Sequence, residues 1–129
     1  IGLVLERAHW RNSDVDLFVA HGNGTPLFDR IEAQALVAYF GNACPPITSN
    51  KGQLGHAIAA AGPLSVMTAI EAMKRGIIAA VPHFSTLDPD CDGIDLVNGS
   101  PRRGELKRCL VHSAGLGGQT SLLALEAAS

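Results

Sequence analysis

The chain has 129 residues and a net charge of −2, and its 47% hydrophobic content is ordinary for a globular protein, so it holds one domain with a real core and no more. Arg102-Arg103 and Lys107-Arg108 form only a short local cluster rather than a basic stripe, which excludes nucleic acid as an expected partner. The longest apolar stretch, Ala57 to Ala72, is broken by Gly62-Pro63, carries Glu71 and falls short of the roughly 20 residues a membrane span needs, which excludes a membrane partner.

Leu3, Val4, Leu5, Ala8 and Trp10 read as the tail of an amphipathic helix that ends near Arg11-Asn12-Ser13. A strand over Val15 to Ala20 follows, then a corner at His21 and a helix from about Leu27 to Phe40, closed by Gly41. Asn42 to Pro46 is a loop leading to the short strand Pro46-Ile47-Thr48. After a second histidine corner comes the long apolar helix, read as a buried core helix, with Lys74-Arg75-Gly76 as its cationic last turn and glycine stop. Met67 and Met73 are core filler on it.

Ile77 to Phe84 is β-rich, and Pro82 marks an edge or a strand end. Ser85 to Gly104 reads as an extended polar loop with turn signals at Asp88-Pro89, Asp92-Gly93, Asn98-Gly99 and Arg103-Gly104. Two final apolar runs, Cys109 to His112 and Ser121 to Leu125, flank Gly115-Leu116-Gly117-Gly118 and predict an antiparallel hairpin closing a mostly parallel sheet.

Two motifs concentrate the chemistry: His21-Gly22-Asn23-Gly24-Thr25-Pro26, and Ser49-Asn50-Lys51-Gly52-Gln53-Leu54-Gly55-His56 running into Ala59-Ala60-Ala61-Gly62. Each sets a histidine beside glycines where a strand pattern gives way to a helix pattern, the place where α/β proteins keep polar groups at strand carboxyl ends. Two such corners predict one shared site. His9, His83 and His112 lack that context and are read as structural.

Other motifs carry less. Asp88, Asp90, Asp92 and Gly93 mimic the start of a calcium loop, but the twelfth place is Gly99 and no helices flank it. Gly115, Gly117 and Gly118 lack G-x-G-x-x-G spacing and precede a strand, which argues against nucleotide binding. Neither a cofactor nor a metal is expected. Cys44, Cys91 and Cys109 are odd in number, far apart and never in C-x-x-C, which speaks against disulfides and a zinc cluster and for a reducing, cytoplasmic setting. Ile1 to Trp10 lacks the order of a secretory signal, and without an initiator methionine the numbering is expected to begin inside a longer protein.

The two histidine motifs, with Asp29 and Glu32, the late loop from Pro82 to Pro89 followed by Cys91-Asp92 and Asp95-Leu96-Val97, and the Gly115-Leu116-Gly117-Gly118 turn run in one order over nearly the whole chain. Together they make it resemble the C-terminal half of a β-ketoacyl-acyl carrier protein synthase, a condensing enzyme of the thiolase-like superfamily. The resemblance implies an α/β half with a mixed five-stranded sheet and helices on its faces, packed against a homologous N-terminal half. It implies a reaction in which a cysteine takes an acyl group, malonyl carrier loses carbon dioxide, and the enolate attacks the acyl thioester, in fatty acid or polyketide biosynthesis. The partners implied are an acyl carrier protein, the missing N-terminal half and a second copy in a homodimer.

By the same resemblance His21 and His56 are the two N–H donors for the enolate oxygen, a task that neutral imidazoles perform without a metal. Lys51 is the active-site lysine, expected to contact Glu32 and so hold a histidine ring in place. The turn Gly115, Leu116, Gly117 and Gly118 supplies a backbone N–H, that of Leu116, to an oxyanion hole.

The chain departs from the family pattern at Asn23, where threonine is usual, at Phe28, where glycine is common, and at Ala114 and Leu116, where aromatic residues are common. Smaller gate residues suit a different or bulkier acyl chain. The family's nucleophilic cysteine lies in the N-terminal half, outside these residues. Cys91 sits among Asp88, Asp90, Asp92 and Asp95, whose charges disfavour a thiolate, so the chain alone is expected to be inactive. The long helix is expected to leave an apolar face through which the isolated chain self-associates. A non-catalytic chain-length partner, a thiolase and an interaction module that has lost the chemistry stay open as alternatives; the glycine-rich turn carries no cysteine, which counts against a thiolase.

Overall fold

A computed structural model describes residues 1–128. Helix α1 (Gly2–Ala8) leads into β1 (Leu17–Val19), α2 (Pro26–Phe40), β2 (Pro46–Thr48), the single turn α3 (Lys51–Leu54) and α4 (Ala61–Arg75). The remaining strands are β3 (Ile77–Ile78), β4 (Asp95–Leu96), β5 (Arg102–Arg103), β6 (Arg108–Ala114) and β7 (Thr120–Glu126). Five strands form one sheet in the order β4-β2-β1-β6-β7, parallel except for the antiparallel β6–β7 hairpin. The expected mixed five-stranded α/β sheet is the observed one.

The central strands are apolar on both faces because both faces are covered. Phe18 and Leu110 point into a core shared with Leu5 of α1 and with Leu36 and Phe40 of α2. Their neighbours Leu17, Val19, Cys109 and Val111 point the other way, against Ala69 and Ala72 of α4. Full burial of a Phe, Leu or Val side chain contributes about 1.5–3 kcal/mol, so this alternation fixes the register.

Three expectations need correction. The long helix starts at Ala61, not near Ala57; Pro63 fits in its first turn, where its missing N–H has no intrahelical acceptor to lose, and 58–60 form a 3₁₀ turn instead. Nor is α4 a fully buried helix: its buried stripe is the small residues Ala61, Ser65, Ala69 and Ala72, while Met67 is 52% exposed rather than core filler. Finally, the stretch 85–104 contains β4, which extends the main sheet beside β2, and β5, which pairs with β3.

Candidate active site

The carboxyl ends of β1, β2 and β6 lie side by side and build the site. β1 gives way to His21, whose ring is buried, and the chain turns sharply at Gly22. Gly22 has φ of 40°, and a Cβ there would lie 3.0 Å from the Cβ and Oγ of Ser49, so glycine alone lets the two corners approach this closely. Ser49 Oγ donates to the Gly22 carbonyl at 3.2 Å and closes the contact.

Glu32, on α2, reaches back over this turn. Its Oε1 accepts the backbone N–H of His21 at 2.7 Å, and its Oε2 accepts that of Gly22 at 2.8 Å. Oε1 also meets Nδ1 of His112. Burial pushes the Glu32 carboxyl upward, but the His112 hydrogen bond and the two backbone N–H groups outweigh it and hold it below the ordinary range.

At the second corner the chain passes from β2 through Ser49 and Asn50 into α3, and Gly55, at φ 74°, redirects it to His56. Asn50 is buried and donates to Thr68 Oγ1 of α4 at 2.9 Å, which anchors the corner from below. The rings of His21 and His56 then meet edge to face, with centroids 5.4 Å apart and planes at 72°.

Each ring has one nitrogen engaged by the backbone. Ala114 donates its N–H to Nδ1 of His21 at 3.3 Å, and Ile58 donates its N–H to Nδ1 of His56 at 3.0 Å. A nitrogen that accepts an N–H carries no proton, so each neutral ring is a donor at Nε2. Burial, then the charge of Lys51, holds the His21 pKa below the usual imidazole range against the opposing pull of Glu32. Two imidazole N–H donors side by side can hold one oxygen that gains negative charge.

Both histidines line one cleft of about 500 Å³, together with Asn23, Phe28, Ala114 and Leu116. The turn from Gly115 to Gln119 is closed by Gly115 N–H to the Gln119 carbonyl at 2.8 Å and Gly118 N–H to the Gly115 carbonyl at 3.1 Å. Among the described residues no backbone carbonyl takes the N–H of Leu116 or of Gly117, and the Leu116 side chain is fully exposed.

Lys51 lies elsewhere than expected. It lines a neighbouring cavity of about 400 Å³ with Asp29 and Glu32, and Asn23 borders both this cavity and the histidine cleft. The expected Lys51–Glu32 contact is not formed, because Glu32 spends its oxygens on His21, Gly22 and His112. Lys51 is buried, which lowers its pKa, while Glu32 and Asp29 pull the other way from a distance. Asp29 is raised by burial, and its Oδ1 is buried without a partner.

His112, read from the sequence as structural, belongs to this cluster; its ring centroid is 6.2 Å from that of His21. The available signal was a titratable ring inside an otherwise apolar strand, two residues before Ala114. Burial raises the thiol pKa of Cys44, Cys91 and Cys109, the last to about 12, and none of them lines the histidine cleft. Among the described residues no three His, Cys, Asp or Glu side chains converge as a metal site. The calcium-like acidic run instead serves Arg30, which pairs with Asp88 at 2.9 Å and Asp90 at 3.3 Å. Among the described residues no helix is long and apolar enough to cross a membrane.

Residues 1–85 match the family described as beta-ketoacyl synthase, C-terminal domain. A putative polyketide beta-ketoacyl synthase 2 of Streptomyces halstedii is 41% identical over 128 residues, covering 98% of this chain and 30% of the relative. Among solved structures, the ishigamide ketosynthase/chain length factor superposes with a TM-score of 0.94 at 28% identity, over 99% of this chain and 32% of that one. A type II PKS acyl-carrier protein in complex with its ketosynthase gives a TM-score of 0.93 at 28% identity, over 99% and 32%. The chain therefore spans about a third of the length of these relatives.

Proposed function

The chain belongs to the β-ketoacyl synthase family, as the C-terminal half of a thiolase-like condensing enzyme, and from that premise we propose that the protein carrying it condenses malonyl and acyl thioesters in polyketide assembly. The supporting observation is the paired donor arrangement: two rings 5.4 Å apart on one cleft, each with Nδ1 capped by a backbone N–H. The polyketide assignment follows the name of the similar Streptomyces protein rather than any residue of this chain.

In this reading Nε2–H of His21 and of His56 hydrogen-bond the thioester carbonyl of a malonyl-carrier substrate. The carbon–carboxylate bond breaks, carbon dioxide leaves, and the electron pair it leaves behind delocalises onto the carbonyl oxygen that the two donors hold. The resulting enolate carbon attacks an acyl thioester, and the N–H of Leu116 in the turn Gly115–Gly118 meets the second oxyanion as the cysteine thiolate departs. One such donor contributes about 10²–10³ in rate. Burial first and the charge of Lys51 second lower the His21 pKa and so favour its neutral ring, and Glu32 holds the His21 corner. We place the nucleophilic cysteine in the preceding half of the protein, because burial raises the pKa of all three thiols here and none of them lines the histidine cleft. We place an acyl carrier protein and a second ketosynthase-like subunit as partners, and a reducing cytoplasmic compartment as the setting for these unpaired cysteines.

A chain-length-factor-like subunit is the second reading, favoured by the likeness to a ketosynthase/chain length factor structure. The retained donors favour the enzyme, because a silent subunit has no use for them. In the complete protein, His56→Ala abolishes malonyl decarboxylation while acylation of the cysteine stays measurable. Equal loss of both steps contradicts the proposed division of roles, and a wild-type protein that accepts no acyl group supports the silent subunit.

A further inference from the structure

We propose that His112 is a positioning residue that ties the His21 corner to strand β6, and so sets the distance between the His21 donor and the glycine-rich turn that continues β6. The proposal rests on the condensing reading of His21.

His112 is half-way along a chain of contacts. Its Nδ1 lies 2.5 Å from Glu32 Oε1 and its Nε2 lies 2.7 Å from Thr120 Oγ1 on β7. An ionised carboxylate only accepts, so Nδ1 of His112 carries the proton and Nε2 faces a hydroxyl that can turn to suit it. That assignment is opposite to the one at His21 and His56, whose Nδ1 atoms accept. With both nitrogens occupied, and its ring 6.2 Å from that of Phe18, His112 lines neither cleft and offers nothing to a substrate.

What it offers is grip. The same Glu32 oxygen that meets His112 accepts the backbone N–H of His21. Two residues further along β6, the backbone N–H of Ala114 donates to Nδ1 of the His21 ring. β6 thus holds His21 twice, once by its main chain through Glu32 and once by its ring. Beyond Ala114 the strand becomes the turn with Leu116, the other proposed donor. Losing the His112 bridge frees the main chain of the corner while the ring contact remains, so Nε2 of His21 keeps its proton but loses its fixed place.

The test compares His112→Phe, which keeps a ring beside Phe18 and loses both hydrogen bonds, with His112→Asn, whose amide can again donate to Glu32. Both are made in the complete protein and read by hydrogen–deuterium exchange over His21–Gly22 and by malonyl-thioester decarboxylation. The expected result for His112→Phe is exchange accelerated about tenfold and kcat lowered about tenfold at unchanged KM, with His112→Asn recovering both. Exchange within twofold of wild type in His112→Phe overturns the proposal, as does a failure of His112→Asn to recover either quantity. If the wild-type protein decarboxylates nothing, the condensing reading falls and the effect of His112 on the His21 donor's chemistry with it, whereas the exchange arm still reports the bridge by itself.

Discussion

The backbone N–H of Ile58 ends on Nδ1 of His56, 3.0 Å away, and Ile58 makes that reach with φ of 50°. A β-branched residue in the left-handed region is strained, and Ile58 is 82% exposed, so burial of its side chain does little to offset the cost. The strain aims one N–H at one ring nitrogen.

Ile58→Asn relieves this strain, because asparagine enters the left-handed region more readily. Urea unfolding is expected to show a gain of about 1 kcal/mol, with the His56 ring keeping its proton on Nε2 by ¹⁵N NMR. An unchanged midpoint shows that no strain is stored at this turn.

His21 carries a pH signature. Its folded pKa is lowered by burial and then by Lys51, so as pH falls below about 6.5 the unfolded chain takes up the proton first. Stability is therefore lost as pH falls from there through the folded pKa and levels off below it. Lys51→Met removes the second cause and moves the His21 midpoint upward in a histidine ¹H NMR titration; an unmoved midpoint contradicts the coupling.

Lys51→Met also stabilises. The buried ammonium titrates below its ordinary value of 10.5, so the folded state carries a penalty at neutral pH that vanishes as pH rises through the folded pKa toward 10.5. The variant is expected to unfold at higher urea than wild type at pH 7, with the gap closing by about pH 10.5. A variant less stable at pH 7 shows that attraction to Glu32 and Asp29 outweighs burial.

Gly22→Ala is expected to cost about 1–3 kcal/mol from the positive φ alone, and more from the 3.0 Å approach of the new Cβ to Ser49. Thermal unfolding measures the loss. A variant as stable as wild type means that the two corners do not need this close packing.

The 129-residue chain alone is expected to self-associate, since Met67 on α4 and Ile58 and Leu116 at the cleft rim stand in water. Sedimentation at high concentration measures it, and a clean monomer refutes it.

The sequence made the sheet legible because β1, β2, β6 and β7 are runs that alternate or stay apolar, and α2 is bounded by Pro26 and Gly41. It hid β4 and β5 because two-residue strands have no period to detect. The histidine corners were legible through their glycines. The partner of Glu32 was not: His112 is 80 residues away, and only the β1–β6 pairing brings it beneath His21. The family resemblance paired Glu32 with Lys51, and the fold gave it two backbone amides and an imidazole.

The strand order has an evolutionary corollary. Donors scattered over more than ninety positions of chain lie beyond the carboxyl ends of three neighbouring strands, each strand about 4.8 Å from the next. An insertion in the connection from Phe40 to Pro46 would leave that spacing intact. A slip of one residue between β1 and β6 would turn His112 and Ala114 away from His21. Relatives of this chain are therefore free to differ widely in the lengths of their loops, while the alignment of these short parallel strands tolerates no drift.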